Sequence, residues 1–193
     1  MKIGVYGSAA GSIPNEVKRS AKEIGRQIAR RECTLVTGGC PGLPYDAVLG
    51  AHELGGRCIG YSPATDLEAH TNLYKFPVSG FSEFVFVPKD VPKEYVDVNN
   101  TTVCKKYRNV ASVAAIDAAI IIGGRIGTMN EFTLAYDFQK NIGILKGSGG
   151  ITKEAIKILL RDIDKPSASK IIYDVSPISL VDGLVELQMA TKH

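Results

Sequence analysis

Short runs of apolar, β-branched residues alternate with helix-periodic segments along almost the whole chain. The clearest run is AAIIIGG, residues 118–124, which is apolar at consecutive positions before its two glycines. Continuous apolarity of this kind is typical of a central strand that is buried on both faces of a parallel sheet. The alternation therefore predicts a doubly wound α/β fold, with a mainly parallel sheet and helices on both faces.

Seven runs are predicted as strands: KIGVYG, CTLVTGG, RCIGYS, EFVFVP, AAIIIGG, IGIL and KIIYDV. Helices are predicted over residues 15–31, 47–56, 97–117, 128–139, 151–161 and 179–188. The segments KGSGG and DIDKPSASK are predicted to be mobile loops, because glycine, proline and serine interrupt regular structure. A chain of 193 residues is long enough to bury one sizeable core, so we predict a single domain over residues 1–193.

The composition favours a small anionic ligand over a nucleic acid. The net charge is only +3, and 7% aromatic residues without any Trp leave few rings for stacking on bases. Nucleic-acid binding remains a less favoured hypothesis, because four basic residues recur at intervals of four on the first predicted helix. These are Lys18, Lys22, Arg26 and Arg30, and acidic Glu16 and Glu23 dilute their charge.

The cysteines and histidines form no pattern of metal ligands. Cys33, Cys40, Cys58 and Cys104 lack paired C-x-x-C spacing, which predicts free thiols in a reducing compartment. His52, His70 and His193 are interpreted as ordinary surface or core residues, so no metal or cofactor is predicted. No signal peptide and no long apolar run is found, and we predict a cytoplasmic protein that does not enter a membrane.

Three predicted strands end in glycine turns, at residues 7–11, 38–42 and 123–127. In a doubly wound sheet such turns meet at the carboxyl ends of the strands, where helix N-termini can bind a phosphate. The turns lack the G-x-G-x-x-G and acidic residue of a dinucleotide site, and no Walker phosphate loop occurs. The alternative is that these glycines only shape turns.

Glu131 allows two interpretations. Thr128 and Glu131 fit the capping box, in which a Thr hydroxyl and a Glu carboxylate satisfy the first N–H groups of a helix. That interpretation needs no function. The other is that Glu131 is a functional carboxylate beside a bound ligand.

The segment GGRIGTMNE, residues 123–131, resembles the P-G-G-x-G-T-x-x-E signature of the Lonely Guy (LOG) family. KKYRN resembles the family's helical segment with a catalytic Arg, here Arg108, which lies 131 − 108 = 23 residues before Glu131. VYGS and VTGGCPGL are similar to the family's first two glycine turns, so the resemblance extends over residues 2–145. The matching signature positions are Gly124, Gly127, Thr128 and Glu131.

The resemblance implies a phosphoribohydrolase, which splits a nucleoside 5′-monophosphate such as AMP into free base and ribose 5-phosphate. It implies that Glu131 and Arg108 are catalytic, and that Thr128 and the N–H groups of the third turn bind the phosphate. It also implies a homodimer or a dimer of dimers. The positions implied in phosphate or nucleotide binding are Gly7, Ser8, Gly38, Gly39, Gly42, Gly124, Arg125, Gly127 and Thr128.

Three positions depart from the LOG pattern. Gly123 replaces its Pro, Arg125 replaces its second Gly, and Pro44 stands where Met is usual. Similar departures occur in a LOG-like branch that includes the molybdenum cofactor carrier proteins. The alternative hypothesis is therefore a binding protein without catalysis, which carries a nucleotide or a pterin-type cofactor. Arg125 favours it, because an added cation can tighten anion binding or block the catalytic geometry.

Overall fold

The computed structural model describes residues 1–162 and 165–190, in which seven strands and seven α-helices alternate. The strands are β1 (Lys2–Gly7), β2 (Thr34–Thr37), β3 (Cys58–Tyr61), β4 (Glu83–Val85), β5 (Ala118–Ile122), β6 (Asn141–Leu145) and β7 (Ile171–Asp174). The helices are α1 (Asn15–Arg30), α2 (Leu43–His52), α3 (Leu67–Asn72), α4 (Thr101–Ala114), α5 (Ile126–Asp137), α6 (Ala155–Asp162) and α7 (Pro177–Ala190). A short 3₁₀ helix spans Gly150–Thr152.

All seven strands form one parallel sheet in the order β4-β3-β2-β1-β5-β6-β7. The chain starts in the middle at β1, winds outward to β4, and then returns to β5 on the other side of β1. The predicted doubly wound α/β fold is confirmed. The reversal lies between β1 and β5, and ligands bind at this position in open parallel sheets.

The central strand β5 contributes side chains to a hydrophobic core on each face of the sheet. All five of its residues are buried, as its continuous apolarity predicted. Ile120 and Ile122 pack into the core formed with α1, α2 and α7, whereas Ile121 packs into the core formed with α4, α5 and α6. Side chains alternate across a strand, so one apolar run supplies both cores.

Several helix boundaries differ from the sequence prediction because local caps set them. α2 begins at Leu43, four residues earlier than predicted, after Gly42 with φ of 81° and with a Pro in the first turn. α4 begins at Thr101, because the Asn100 side chain accepts hydrogen bonds from Thr102 N and Val103 N. α3 was not predicted. Its first turn is capped by Asp66, whose Oδ1 accepts from Ala69 N at 2.8 Å.

The basic stripe on α1 is largely neutralised by neighbouring carboxylates. Lys22 and Arg26 form ion pairs with Glu53, and Arg26 and Arg30 form ion pairs with Glu23 at 2.9 and 2.7 Å. Exposed pairs of this kind contribute little stability, but they remove the free charge that a nucleic acid would need. This weakens the nucleic-acid hypothesis.

The four cysteines and one histidine, His70, are buried. All four cysteines are unpaired thiols, as predicted, and all are buried. His70 Nδ1 lies 2.8 Å from Ser62 Oγ, and its Nε2 lies 3.0 Å from the Pro77 carbonyl. Burial lowers the pKa of this imidazole. His193 and part of the DIDKPSASK segment lie outside the described residues.

Within the described part of the chain, no helix is long and apolar enough to cross a membrane.

Candidate functional site

The loops after β1, β2 and β5 meet at the carboxyl edge of the sheet, as the glycine turns predicted. Ser8 Oγ accepts a hydrogen bond from Gly124 N at 2.8 Å and so joins the first turn to the third. Leu43 N donates to the Ser8 carbonyl at 2.9 Å and joins the second turn to the first. A Cβ atom at Gly42 would overlap that carbonyl, so this close approach requires glycine.

A fourth glycine loop, within KGSGG, completes this edge. Ser148 Oγ accepts from Gly123 N at 2.8 Å, and Ile151 N donates to the Gly124 carbonyl at 3.1 Å. Gly150 has φ of 58° and lies directly against the Gly124 carbonyl. The glycine content of this segment predicted a mobile loop. The sequence could not indicate its anchoring contacts, because they join residues that are far apart in the chain. The structure ties it to the third turn.

A cavity of about 370 Å³ opens at the reversal between β1 and β5. This volume is within the usual range for small-molecule sites. The first and second turns form one side, α4 forms another, and the start of α5 forms the third. The lining residues are Gly7, Ser8, Ala9, Cys40, Thr102, Lys105, Lys106, Arg108, Asn109, Arg125, Gly127, Thr128 and Glu131.

Glu131 lies in this cavity and does not cap a helix. α5 begins at Ile126 with Arg125 as its N-cap, so Glu131 is in the second turn, and no side chain caps the helix. Thr128 Oγ1 donates instead to the Gly7 carbonyl at 3.2 Å. The capping-box interpretation is therefore wrong. The Glu131 side chain is only 7% exposed, and its carboxyl forms no hydrogen bond to a described residue.

The environment of Glu131 favours its neutral form. Burial raises the pKa of its carboxyl to about 7, because desolvation penalises the charged form more than Arg108 and Lys106 stabilise it. A carboxyl with this pKa exchanges a proton near neutral pH. Titratable side chains that have a shifted pKa and lie in a cleft are typical of functional sites.

Arg108 lies beside Glu131 in the same cavity, as the resemblance implied. The side chain is 8% exposed, and Nη1 donates to the Gly38 carbonyl at 2.5 Å. Any Cβ atom at position 38 would overlap Arg108 Nη1, so Gly38 makes room for the guanidinium. Nε is buried without a partner in the described structure. The guanidinium thus retains donors for a ligand.

Two asparagines that were not predicted as site residues brace the site. Asn109 Nδ2 donates to Asn130 Oδ1 at 2.9 Å and links α4 to α5. Asn109 directly follows Arg108, and Asn130 directly precedes Glu131. The link therefore fixes the register in which Arg108 and Glu131 face one cavity. In the sequence, the two asparagines could have been identified only because each is next to a candidate catalytic residue.

The cavity carries more positive than negative charge. Lys105, Lys106, Arg108 and Arg125 all line it, and Glu131 is the one acidic residue among its lining. None of the four cations forms an ion pair with a carboxylate in residues 1–162 or 165–190. Lys105 and Lys106 were not predicted from the sequence. This charge balance suits an anionic ligand.

The candidate glycines divide into two groups. Gly7 and Gly127 line the cavity, and a Cβ atom added at Gly127 would meet no described atom within 4 Å. The others lie behind its wall and shape the turns. These are Gly38, Gly39, Gly42 and Gly124, of which Gly39, Gly42 and Gly124 have positive φ.

The departures from the LOG signature have structural counterparts. Gly123 has φ of 59°, which proline cannot adopt, so the third turn differs in backbone from a turn that begins with Pro. Arg125 is exposed at the rim of the cavity. Pro44 is buried in the first turn of α2 and does not line the cavity.

Comparisons with known proteins agree with this fold. An uncharacterized protein from Archaeoglobus fulgidus is 29% identical over 146 residues, which cover 76% of this chain and 80% of that protein. The X-ray structure of a protein designated TM1055 is similar with a TM-score of 0.76 at 22% identity, covering 96% of this chain and 98% of that chain. The molybdenum cofactor carrier protein from Chlamydomonas reinhardtii is similar with a TM-score of 0.69 at 20% identity, covering 98% of both chains.

The family comparison refines the resemblance found in the sequence. The model of the SLOG cluster4 family matches residues 1–181, which is nearly the whole chain. The LOG-like character of the fold is thus supported, whereas the LOG family itself remains a resemblance carried by the signature residues. The chain belongs to the SLOG cluster4 family.

Proposed function

We propose that the cavity binds a nucleoside 5′-monophosphate and hydrolyses its N-glycosidic bond to free base and ribose 5-phosphate. The observation that carries this proposal is the position of Glu131. It is a buried carboxyl that forms no hydrogen bond to a described residue, and it lines a cavity with four cations that form no ion pair with the described carboxylates. A structural role would leave this arrangement unexplained, since burying an unpaired carboxyl costs stability.

The start of α5 suits the 5′-phosphate. The first N–H groups of a helix have no partner within the helix, and no side chain of the described residues caps them at α5. Gly127 keeps the approach free of a side chain, and Arg125 adds a cation at the rim. The Thr128 hydroxyl already donates to Gly7, so Thr128 would bind phosphate through its backbone N–H.

Glu131 would then act on the ribose. Cleavage of an N-glycosidic bond develops positive charge on the sugar, and a carboxylate beside it stabilises that charge. With a pKa of about 7, Glu131 can also accept a proton from the attacking water near neutral pH. Arg108 would orient the nucleotide or assist the departing base through Nε, which has no partner among the described residues.

A second candidate is a binding protein without catalysis. Arg125 stands where the LOG signature has Gly, and it lines the cavity next to the phosphate position. A protein of similar fold is a molybdenum cofactor carrier, although at 20% identity this likeness concerns the fold alone. In this role the same cations would hold an anionic cofactor, and Glu131 would not turn over a nucleotide.

Release of base from nucleoside monophosphates distinguishes these candidates. We expect the wild-type protein to release base from at least one of them, and Glu131→Gln to bind it but react at least about 100-fold more slowly. Glu186→Gln, at an exposed carboxylate on α7, is the matched control and should react like the wild type. Binding without base release by the wild type would favour the carrier. Equal rates for wild type and Glu131→Gln would remove Glu131 from the reaction.

A further inference from the structure

The first two turns of α4 present a polar and basic stripe to the cavity. Thr102, Lys105 and Lys106 are spaced at i, i+3 and i+4, which places them on one face of the helix. All three are exposed and line the cavity. We call these three residues the α4 stripe. The proposed phosphate position at the start of α5 makes no use of it.

The sheet order separates Lys105 of the α4 stripe from Arg125. Lys105 Nζ lies 5.9 Å from the centre of the Tyr74 ring, and Tyr74 donates to the Pro63 carbonyl just after β3. Arg125 follows β5. Two strands, β2 and β1, lie between β3 and β5, which corresponds to about 14 Å across the sheet. This spacing between the elements that carry Lys105 and Arg125 leaves room for two separate phosphate groups.

The number of cations in the cavity also indicates a ligand with more than one phosphate group. One phosphate monoester carries at most about two negative charges. The cavity offers four cations without ion pairs to described residues, and burial keeps its single carboxyl partly neutral at neutral pH. Cations gathered in one cleft repel one another unless the ligand supplies matching negative charge.

We propose that the preferred ligand is a nucleotide with a second phosphate separated from the first through the ribose, as in a nucleoside 3′,5′-bisphosphate. The 5′-phosphate lies at Arg125 and the start of α5, and the second phosphate lies at the α4 stripe. Lys105 and Lys106 supply the charge, and the Thr102 hydroxyl supplies a hydrogen-bond donor. This inference rests on the proposed function, because it takes the start of α5 as the site of the first phosphate.

Calorimetric titration with AMP, ADP and adenosine 3′,5′-bisphosphate tests the proposal. The wild type should bind the bisphosphate at least tenfold more tightly than AMP. Lys105→Ala and Lys106→Ala, separately and together, should bring the ratio of the AMP and bisphosphate dissociation constants toward one. Arg125→Gly should weaken both ligands alike. Lys18→Ala, at an exposed lysine on α1, is the matched control and should retain the gain.

The outcomes separate this inference from the proposed function. Equal affinities for AMP and the bisphosphate, or a gain that survives in the double lysine variant, would overturn the second phosphate position. A gain for ADP as large as that for the bisphosphate would overturn the separation through the ribose. If AMP still binds and releases base in those cases, the proposed function stands. A protein that binds none of the three ligands would contradict both.

Discussion

At the scale of single residues, the start of α5 decides what Glu131 does. The spacing of Thr128 and Glu131 fits a capping box, but only if Thr128 is the N-cap. Arg125 holds that position in an extended conformation, with φ of −130°, so both residues lie inside the helix. The LOG signature predicts that Glu131 is a site residue, and this stays a prediction. The capping-box interpretation is wrong, because the N-cap of α5 lies three residues before Thr128.

Glu131 also gives a prediction about stability and pH. Its pKa is about 7 in the folded protein and near the ordinary value of 4.5 when unfolded. The folded state thus binds more protons between these values, and this residue's contribution to stability falls as pH rises through that window. Glu131→Gln should therefore be more stable than the wild type at pH 8, on the order of 2 kcal/mol, with little difference at pH 4.5.

Urea unfolding of both proteins at the two pH values measures this difference. The exposed Glu186→Gln variant controls for loss of one carboxylate and should show no such gain at pH 8. A Glu131→Gln variant that is no more stable than the wild type at pH 8 would mean that the carboxyl is not buried as the structure has it.

At the scale of elements, the contact between α1 and α2 depends on two glycines. A Cβ atom at Gly25 would overlap the Ala47 carbonyl, and one at Gly50 would overlap the Lys22 carbonyl. The backbones of the two helices can approach this closely only because both positions lack a side chain. α2 begins at the second glycine turn, so this contact also positions that wall of the cavity.

We predict that Gly25→Ala and Gly50→Ala each destabilise the protein by about 1–3 kcal/mol or more, because the helices must separate. Gly183→Ala on α7 is the matched control, since its Cβ would lie 3.4 Å from Ile172 Cδ1, an ordinary contact. This control should be neutral or slightly stabilising, as expected for Gly to Ala within a helix. Thermal unfolding ranks the three variants. If Gly25→Ala is as stable as Gly183→Ala, the proposed close contact is wrong.

The strands were predicted more accurately from the sequence than the helices and loops were. All seven strands were predicted, because apolar periodicity reports burial directly. Helix boundaries were less accurate, since α2 and α4 begin where Gly42 and Asn100 permit. α3 was missed because six residues carry too little periodicity. No sequence pattern indicated that the 146–150 loop is anchored, because the hydrogen bonds that anchor it involve Gly123 and Gly124, which lie far away in the sequence.

At the scale of the whole molecule, the fold could be predicted but the charge of the site could not. Alternating strands and helices define a doubly wound sheet, and the sheet defines where its loops meet. Lys105 and Lys106 line the cavity because of the way α4 packs beside it, which no local sequence pattern reports. Arg108 and Glu131 were found through a family signature, and their burial became evident only in three dimensions.

The resemblance to the LOG family also predicts a homodimer or a dimer of dimers. Val110 on α4 and Ile126 on α5 are 45% and 81% exposed, and both belong to helices that line the cavity. Sedimentation velocity at micromolar concentration should show no major monomer. Val110→Asp should shift the protein toward monomer, whereas Val175→Asp, at an exposed valine after β7, should not. A wild-type protein that sediments as a monomer would contradict this prediction.

In the proposed complex the cavity holds a nucleotide with its phosphate at the start of α5 and its ribose beside Glu131. A crystal structure of Glu131→Gln with AMP tests it most directly, because the variant should retain the intact ligand. We predict the phosphate within hydrogen-bonding distance of the Gly127 and Thr128 N–H groups, and the anomeric carbon of the ribose next to the side chain at position 131. AMP bound outside this cavity, or with its phosphate directed away from α5, would contradict the account.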